Sequence, residues 1–207
     1  KTSMKLSDAQ IGSTVLIGES GEDKEYIIAD KDFHAQDTVT LIRKNVISGA
    51  ISMSYSGSAQ YNASNPDIVL ETVFKECLDE NTKEYIAAQN VNTVLKRHIF
   101  LPSSSELENL EYFSDNSIGA KDESGQNRQY WTRTSAQNTA HMLAVSTGAS
   151  IYSLSPGNLA YMRPMLVLSK DTPIENSSSD SAPAYKIPEN SRGIFVFENG
   201  DWRRCMP

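Results

Sequence analysis

The stretch YWTRTSAQNTAHMLAVSTGASIYSLSPGNLAYMRPMLVL, residues 130–168, decides the fold class of this 207-residue chain. Four runs rich in β-branched and aromatic residues are separated by small polar residues and predict short strands: 130–133, 142–145, 150–154 and 161–168. Side chains alternate along a strand, so Trp131 and Arg133 are expected to share one face. The stretch therefore predicts small antiparallel sheets.

The N-terminal part of the chain also predicts strands. Residues 13–18, 25–30 and 38–47 are rich in Val, Ile, Thr and Tyr, and the sequence ESGED between the first two suits a hairpin. Apolar residues occupy both sides of the third run near its middle, so we expect both of its faces to be buried.

The next part of the sequence changes to a helical period. Apolar residues recur at three and four positions between 69 and 78, with Asn65 as the expected cap and Pro66 in the first turn. A second short helix is predicted at about 82–88.

A capping box predicts a third helix. Ser103 and Glu106 have the required spacing, and the expected buried stripe is Leu107, Leu110 and Phe113. Strands, helices and strands thus follow one another in blocks, which predicts an α+β fold.

The C-terminal part predicts two further units after a domain at residues 1–170. Residues 171–190 are rich in Ser, Pro and Asp and predict a linker packed on the domain. Residues 191–207 predict a β-hairpin, because Asn199-Gly200 is the preferred pair for a tight turn. The sequence leaves open whether a leader precedes Lys1.

Composition argues against several classes of partner. The formal charge is −7 and no cluster of five or more Lys or Arg residues occurs, which argues against nucleic-acid binding. No apolar run approaches the ~20 residues needed to span a bilayer, so membrane insertion is not expected. We expect Cys77 and Cys205 to be free, although the sequence does not exclude a bridge between them.

No motif of the sequence requires catalysis. His34, His98 and His141 are far apart in the sequence and lack the spacing of a zinc site, and His98 is expected at a strand edge. Nucleophile elbows and phosphate loops are absent from the sequence. The carboxylates at 67–84 and 106–123 are expected to be solvated. The sequence therefore predicts a protein that is not an enzyme and uses no metal or cofactor.

Two arginines, Arg133 and Arg163, are candidates for a special role. A planar guanidinium can donate to several carbonyls at once, so we expect both to be buried structural hubs together with Trp131. The alternative is that they contact an anion or a sugar.

Three motifs carry a resemblance to a known family: IFLPSSSEL, YWTRTS and YMRPMLVL, in this order and spacing. The chain resembles, over about residues 5–170, a family of uncharacterised domains of gut bacteria and their prophages. The matching positions of the last two motifs are Trp131, Arg133, Thr134, Arg163, Pro164 and Leu166.

The resemblance implies a C-type-lectin-like fold. Related branches include phage tail-tip and adhesin domains, and also the formylglycine-generating enzymes. The calcium signatures Glu-Pro-Asn and Trp-Asn-Asp do not occur here. Cys77 and Cys205 do not match the closely spaced cysteine pair of the enzyme branch, so a catalytic role is disfavoured.

We therefore expect a non-catalytic binding or structural module, phage tail-associated or surface-displayed, that recognises a cell-surface protein or glycan. Its expected location is the virion or the cell exterior. The ligand face would be the loops 135–142 and 153–161, with the polar and aromatic residues Asn138, His141, Tyr152, Asn158 and Tyr161. Two alternatives stay open: an enzyme of the formylglycine-generating or hydrolase type, and an oligomerisation module using the C-terminal hairpin.

Overall fold

The computed structural model describes residues 4–137, 140–177 and 184–189, and the backbone of 194–198 and 201–205. The strands in chain order are β1 Met4–Lys5, β2 Thr14–Glu19, β3 Glu22–Lys31, β4 Thr38–Arg43, β5 Ile51–Ser52, β6 Gln89–Asn90, β7 Lys96–Arg97, β8 Ile99–Phe100, β9 Ala120–Lys121, β10 Asn127–Arg128, β11 Tyr130–Ser135, β12 Met142–Val145, β13 Ile151–Leu154, β14 Leu159–Ala160, β15 Met165–Ser169, β16 Pro173–Ser177, β17 Ala184–Lys186, β18 Ile194–Glu198 and β19 Asp201–Cys205.

Short helices connect these strands. A 3₁₀ turn lies at Leu6–Asp8, and the helices are α1 Asn65–Ile68, α2 Lys75–Cys77, α3 Glu80–Tyr85, α4 Ser104–Asn109 and α5 Glu111–Ser114. A π-helical segment, Val69–Phe74, joins α1 to α2 without a break. The second predicted helix, at about 82–88, is thus observed earlier, as α3. The architecture is mixed α+β, with most strands in several sheets, as the order of sequence patterns predicted.

The largest sheet has eight strands in the order β1-β16-β17-β2-β3-β4-β15-β8. Its neighbours are antiparallel except β17 and β2, which run parallel. The predicted hairpin of β2 and β3 is present, and β15 returns from far along the chain to place Leu166 opposite Leu41 of β4. Every residue of β4 is buried, which confirms the expected burial of both faces.

The remaining strands form small sheets. Strands β11, β12 and β13 form an antiparallel three-stranded sheet, and the two-stranded pairs are β5 with β14, β6 with β7, β9 with β10, and β18 with β19. Tyr130 and Trp131 at the start of β11 are fully buried, and a register irregularity follows between Trp131 and Ser135. Strand β11 therefore contributes its first residues to the core and its last residue to the surface.

The structure corrects two sequence predictions for the helical segment 65–78. The Ser64 hydroxyl caps the helix by accepting from the Asp67 N–H at 3.2 Å, whereas the Asn65 side chain donates to the Ser52 carbonyl. Pro66 lies in the first turn as predicted. Of the expected apolar stripe, Val73 is 62% exposed, because the π-helical segment changes the period on which the stripe was based.

The predicted capping box at α4 is confirmed. Ser103 Oγ accepts from the Glu106 N–H at 3.1 Å, and Glu106 Oε2 accepts from the Ser103 N–H at 2.7 Å. The apolar stripe of the helix is buried as expected, at Leu107, Leu110 and Phe113.

The segment predicted as a linker contributes strands to the main sheet. β16 pairs with β1 and β17, and β17 places Tyr185 opposite Val15 of β2. The expected C-terminal hairpin corresponds to β18 and β19, where Glu198 faces Asp201. The turn at 199–200 lies outside the described residues.

Two further sequence expectations concern cysteine chemistry and membranes. Cys77 is a free, half-buried cysteine, and the side chain of Cys205 lies outside the described residues. In the part of the chain that the structure describes, no helix has the length and apolar character to cross a membrane.

Candidate functional site

Arg133 on β11 is the most heavily engaged of the predicted site residues. Its side chain is only 11% exposed. Nη1 donates to the Leu101 carbonyl at 2.8 Å and to Glu106 Oε2, while Nη2 donates to Glu106 Oε1 at 2.6 Å. Nε donates to the Val91 carbonyl at 3.3 Å. Four of the five guanidinium N–H groups are thus occupied, and the second N–H of Nη2 donates to none of the described residues.

Glu106 is the buried partner of this arginine, and its burial corrects the expectation of a solvated carboxylate. Its side chain is 6% exposed. Burial acts to raise the pKa of Glu106, but the hydrogen bonds from His34 and Arg133 and the charge of Arg133 outweigh burial and lower that pKa to about 2. The carboxylate is therefore ionised at neutral pH and fixes the plane of the guanidinium.

His34 lies on the other side of Glu106. Nε2 of His34 is 2.7 Å from Glu106 Oε1, and Nδ1 is 2.8 Å from Thr40 Oγ1. An ionised carboxylate only accepts hydrogen bonds, so Nε2 carries the proton. The ring packs edge-on against Phe100, with centroids 5.6 Å apart, and the Arg133 guanidinium lies over the same Phe100 ring. The three polar side chains form one rigid buried group.

A cleft of about 350 Å³ opens above Arg133. We call it the Arg133 cleft, and the lining residues that matter for its chemistry are Gln60, Tyr61, Asn62, Asn92, Arg133 and Ser135. Gln60 and Asn62 are exposed, whereas Tyr61 is buried and accepts from the Leu101 N–H at 3.3 Å. Burial raises the pKa of Tyr61, so its hydroxyl remains protonated. The cleft offers neutral hydrogen-bonding groups around one residual guanidinium donor.

Trp131 and Arg163, the other predicted hubs, lie in the interior. Trp131 is fully buried and its Nε1 donates to the Ile51 carbonyl at 2.7 Å. Arg163 is 3% exposed and donates through Nε to the Arg43 carbonyl at 2.9 Å and through Nη1 to the Ile118 carbonyl at 3.1 Å. These contacts join strands to irregular segments. The scaffolding role of the three hubs stays a prediction, which the contacts favour.

The predicted ligand face is only partly brought together. Tyr152 donates its hydroxyl to Gln129 Oε1 at 2.7 Å, and the Tyr161 N–H donates to the Gln129 carbonyl at 3.0 Å, so these two tyrosines share a neighbour. His141 is exposed with Nδ1 3.1 Å from Ser153 Oγ. Ser153 and Tyr152 are adjacent on β13, so they project to opposite faces and separate His141 from the tyrosines.

The two remaining predicted residues are asparagines. Asn158 is exposed in a turn closed by its own N–H to the Ser155 carbonyl at 3.0 Å. Asn138 lies outside the described residues. We therefore place the candidate site at a cleft rather than across the whole predicted loop face.

A second cleft, of about 300 Å³, includes Tyr161. We call it the Arg128 cleft, and its lining residues are Val46, Ser48, Gly49, Asp122, Glu123, Ser124, Arg128 and Tyr161. The guanidinium carbon of Arg128 lies 5.2 Å from the centroid of the Tyr161 ring. Arg128 precedes β11 and Arg133 lies in its second half, so the two clefts lie towards different ends of one strand.

Two buried carboxylates on helices, Asp67 and Glu106, were missed by sequence reasoning. Asp67 is 1% exposed and accepts from Nε and Nη2 of Arg97 at 2.7 and 2.9 Å. Asp67 precedes Leu70 and Phe74 by three and seven residues, and Glu106 precedes Leu110 by four. A carboxylate on the apolar stripe of a helix is the signal that identifies both.

His98 has a carboxylate as its hydrogen-bond partner. It follows β7, and its Nδ1 lies 2.6 Å from Glu71 Oε1 in the π-helical segment. Burial acts to raise the pKa of Glu71, but hydrogen bonds from His98 and the Ile99 N–H lower it overall. Within the described residues, no group of three or more histidine, cysteine or acidic side chains could hold a metal ion.

Comparison with known proteins gives one match. The profile of a family described as Domain of unknown function (DUF6273) matches residues 36–170. No curated protein and no solved structure matches the chain. The matched segment runs from β4 to β15 and contains the lining residues of both clefts.

Proposed function

We propose a function from the premise that this chain belongs to the family described as Domain of unknown function (DUF6273), which matches residues 36–170. The expected membership of an uncharacterised domain family is thereby confirmed. Our proposal is that the chain is a non-catalytic binding module with a C-type-lectin-like fold. It would be phage tail-associated or surface-displayed and would recognise a cell-surface protein or glycan.

The Arg133 cleft is the observation that carries this proposal. Its floor is a guanidinium held by Glu106 and the Leu101 carbonyl, so a ligand meets a donor whose direction is already fixed. Pre-organisation of this kind lowers the entropic cost of binding. The exposed amides of Gln60 and Asn62 on the rim each supply both donors and an acceptor. The cleft suits recognition of a polar surface group.

The chemistry of the lining favours binding over catalysis. Neither a histidine nor a carboxylate is among the described residues that line the Arg133 cleft. The only aliphatic hydroxyl there, Ser135, donates to the Ala59 carbonyl at 2.7 Å rather than to a base. A nucleophile needs an adjacent base to be activated, and arginine does not exchange its proton at neutral pH. The lining can therefore hold a ligand without transforming it.

The test is a comparison of binding to a glycan array and to whole bacterial cells. The double variant Gln60→Ala/Asn62→Ala removes two exposed amides from the rim, and we expect it to weaken binding about tenfold or more. The matched control is Asn90→Ala/Asn127→Ala, which removes two exposed amides that do not line the cleft and should bind like the parent chain.

Two results would contradict the proposal in different ways. Equal binding by both double variants would show that the ligand binds outside the Arg133 cleft. The variant His141→Ala/Asn158→Ala would then test the loop face predicted from the sequence. A folded parent chain that binds neither glycans nor cells would refute the recognition of a surface partner itself.

A second candidate function is oligomerisation through the C-terminal hairpin. Strands β18 and β19 pair with each other and with no other described strand, and an isolated two-stranded hairpin has little stability of its own. Its free edges could pair with another copy of the chain. Size-exclusion chromatography with light scattering would compare the full chain with one ending at Asn190.

The position of this truncation matters. A chain ending at Lys170 would also lose β16 and β17, which cover the edge of β2 in the main sheet. Association of that shorter chain would reflect an uncovered sheet edge. Loss of an oligomer on ending at Asn190 supports the hairpin as the interface, whereas an unchanged mass excludes it.

A further inference from the structure

We propose that the Arg128 cleft is a second binding site, separate from the Arg133 cleft, and that it takes a carboxylate group. The candidate ligands are the C-terminal carboxylate of a peptide and the carboxylate of an acidic sugar, which share this chemistry. Nothing in the proposal depends on occupation of the Arg133 cleft, because the two clefts share no lining residue.

Arg128 is held in place by three contacts. Nε donates to Asp122 Oδ2 at 2.7 Å, Nη2 donates to Gln126 Oε1 at 2.7 Å, and the guanidinium lies over the Tyr161 ring. Stacking on an aromatic ring together with a carboxylate on Nε fixes both the plane and the rotation of the guanidinium. A ligand therefore need not order this side chain on binding.

The fixed guanidinium keeps unused donors. Its Nε and one N–H of Nη2 are occupied, whereas both N–H groups of Nη1 and the second of Nη2 donate to no described residue. The side chain is 33% exposed, so these groups are reachable. Two adjacent guanidinium nitrogens with free N–H groups match the two oxygens of a carboxylate. Arg133 contrasts with Arg128, because a buried carboxylate of the protein already occupies both of its Nη atoms.

The acidic residues of the cleft are already engaged. Asp122 accepts from the Ser124 hydroxyl at 2.6 Å and from the Ser124 and Gln126 N–H groups as well as from Arg128. Hydrogen bonds from Ser124 and Arg128 lower the pKa of Asp122 well below its usual range. The carboxylate is thus saturated with donors, and it orients Arg128 rather than attracting a further cation.

Glu123, which also lines the cleft, is engaged by the neighbouring strand. Its Oε1 accepts from Arg43 Nη2 at 3.3 Å and its Oε2 from Asn45 Nδ2 at 3.1 Å. Arg128 therefore offsets the charge of Asp122, whereas Arg43 is shared between Glu123 and the buried Glu19, whose Oε1 accepts from Arg43 Nε at 2.9 Å. The chain as a whole carries −7, so we expect an anion to bind weakly and with a dependence on salt.

Gly49, another lining residue, leaves room for the ligand. Gly49 has a φ of +94°, a left-handed conformation that a side chain disfavours, and no atom lies within 4 Å of where its Cβ would be. The Tyr161 backbone is held in place, because its N–H donates to the Gln129 carbonyl and its carbonyl accepts from the Trp131 N–H, both at 3.0 Å. Gly49 and Tyr161 line the same cleft as Arg128, so a carboxylate bound there would have open space beside Gly49 and an aromatic surface at Tyr161.

The test uses two anions and their neutral counterparts as probes. N-acetylglycine represents a peptide C-terminus and glucuronate an acidic sugar, while N-acetylglycinamide and glucose lack the carboxylate. Amide ¹H–¹⁵N spectra of the full chain would be recorded during each titration. We expect saturable shifts at 46–49, 122–128 and Tyr161 with at least one anion and with neither neutral probe.

Variants tie the effect to the proposed donors. Arg128→Gln should weaken binding about tenfold, because it removes the charge and the paired donors. Arg128→Lys should retain part of the affinity, and Tyr161→Leu should weaken it by removing the stacking surface. Lys121→Gln is the control, since it removes one positive charge next to the cleft from an exposed residue that does not line it.

Each outcome decides the proposal. Binding of N-acetylglycine alone identifies a peptide C-terminus, binding of glucuronate alone identifies an acidic sugar, and binding of both identifies the carboxylate itself as the recognised group. The absence of saturable shifts for both anions in the parent chain refutes the site. An equal loss of affinity in Arg128→Gln and Lys121→Gln also refutes the site, because the anions would then be attracted by the general positive charge of the region rather than by the Arg128 donors.

Discussion

The Glu106 carboxylate accepts hydrogen bonds from both Nη atoms of Arg133, and this largely buried pair joins α4 to β11. The remaining acceptor positions of Glu106 are used by the Ser103 N–H and by His34. Because both carboxylate oxygens and all three guanidinium nitrogens make hydrogen bonds, the pair is tolerated in the interior. The floor of the Arg133 cleft depends on it.

Replacing Glu106 by Gln should destabilise the fold strongly. The amide brings two donors towards Arg133 and His34 and leaves the guanidinium charge buried without a partner, so we expect a loss of about 3–5 kcal/mol. Urea unfolding followed by circular dichroism measures the loss. Glu108→Gln, an exposed change on the same helix, should stay within about 0.5 kcal/mol. Similar values for the two variants would mean that the pair contributes little.

Acidification should remove the contribution of the Glu106 carboxylate to the free energy of unfolding. The pKa of Glu106 is about 2 in the folded chain, below its ordinary value of 4.5. Because the pKa is lower in the folded chain, the carboxylate stabilises the fold at pH values above its pKa in the unfolded chain. This stabilisation is lost as pH falls from about 4.5 towards 2. The loss should be on the order of 3 kcal/mol. Unfolding free energies measured across this range should show a shallower slope for Glu106→Gln, and equal slopes would contradict the assignment.

The local parts of the fold could be predicted from the sequence, whereas the long-range parts could not. The capping box at Ser103 and Glu106 spans four residues, so its pattern is visible within the sequence. The pairing of β15 with β4 joins Met165 to Ile42, and the parallel pairing of β17 with β2 joins Tyr185 to Val15. Such pairings depend on the packing of the whole chain, and no short pattern encodes them.

The candidate site shows the same division. Arg133 could be singled out because it lies in a predicted strand beside Trp131. Its partner was missed because the capping box already explained Glu106, and a carboxylate in a cap is usually solvated. The apolar stripe that Glu106 shares with Leu110 was the available signal. Which arginine lies beside that stripe is a property of tertiary packing alone.

Arg163→Lys should be costly despite the retained charge. Arg163 donates to the carbonyls of Arg43 and Ile118 while lying between the rings of Phe113 and Tyr130. An ammonium group cannot reproduce the planar fork, so buried carbonyls lose donors and we expect a loss of about 3 kcal/mol. Arg128→Lys makes the same chemical change at a more exposed site and should cost under about 1 kcal/mol. Chemical denaturation of both variants provides the comparison, and equal costs would argue against Arg163 as a hub.

Gly18→Ala should weaken the contact between β2 and the start of α3. A Cβ on Gly18 would lie 2.0 Å from Asp79 Oδ2, and the Gly18 N–H donates to that same atom at 3.1 Å. The methyl group must displace the Asp79 carboxylate, so we expect a loss of about 1–3 kcal/mol in the free energy of unfolding. Gly157→Ala, where no atom lies within 4 Å of the new methyl, should be close to neutral. In an Asp79→Ala background the Gly18→Ala change should cost less, because the carboxylate is already gone. An undiminished cost there would place the strain elsewhere.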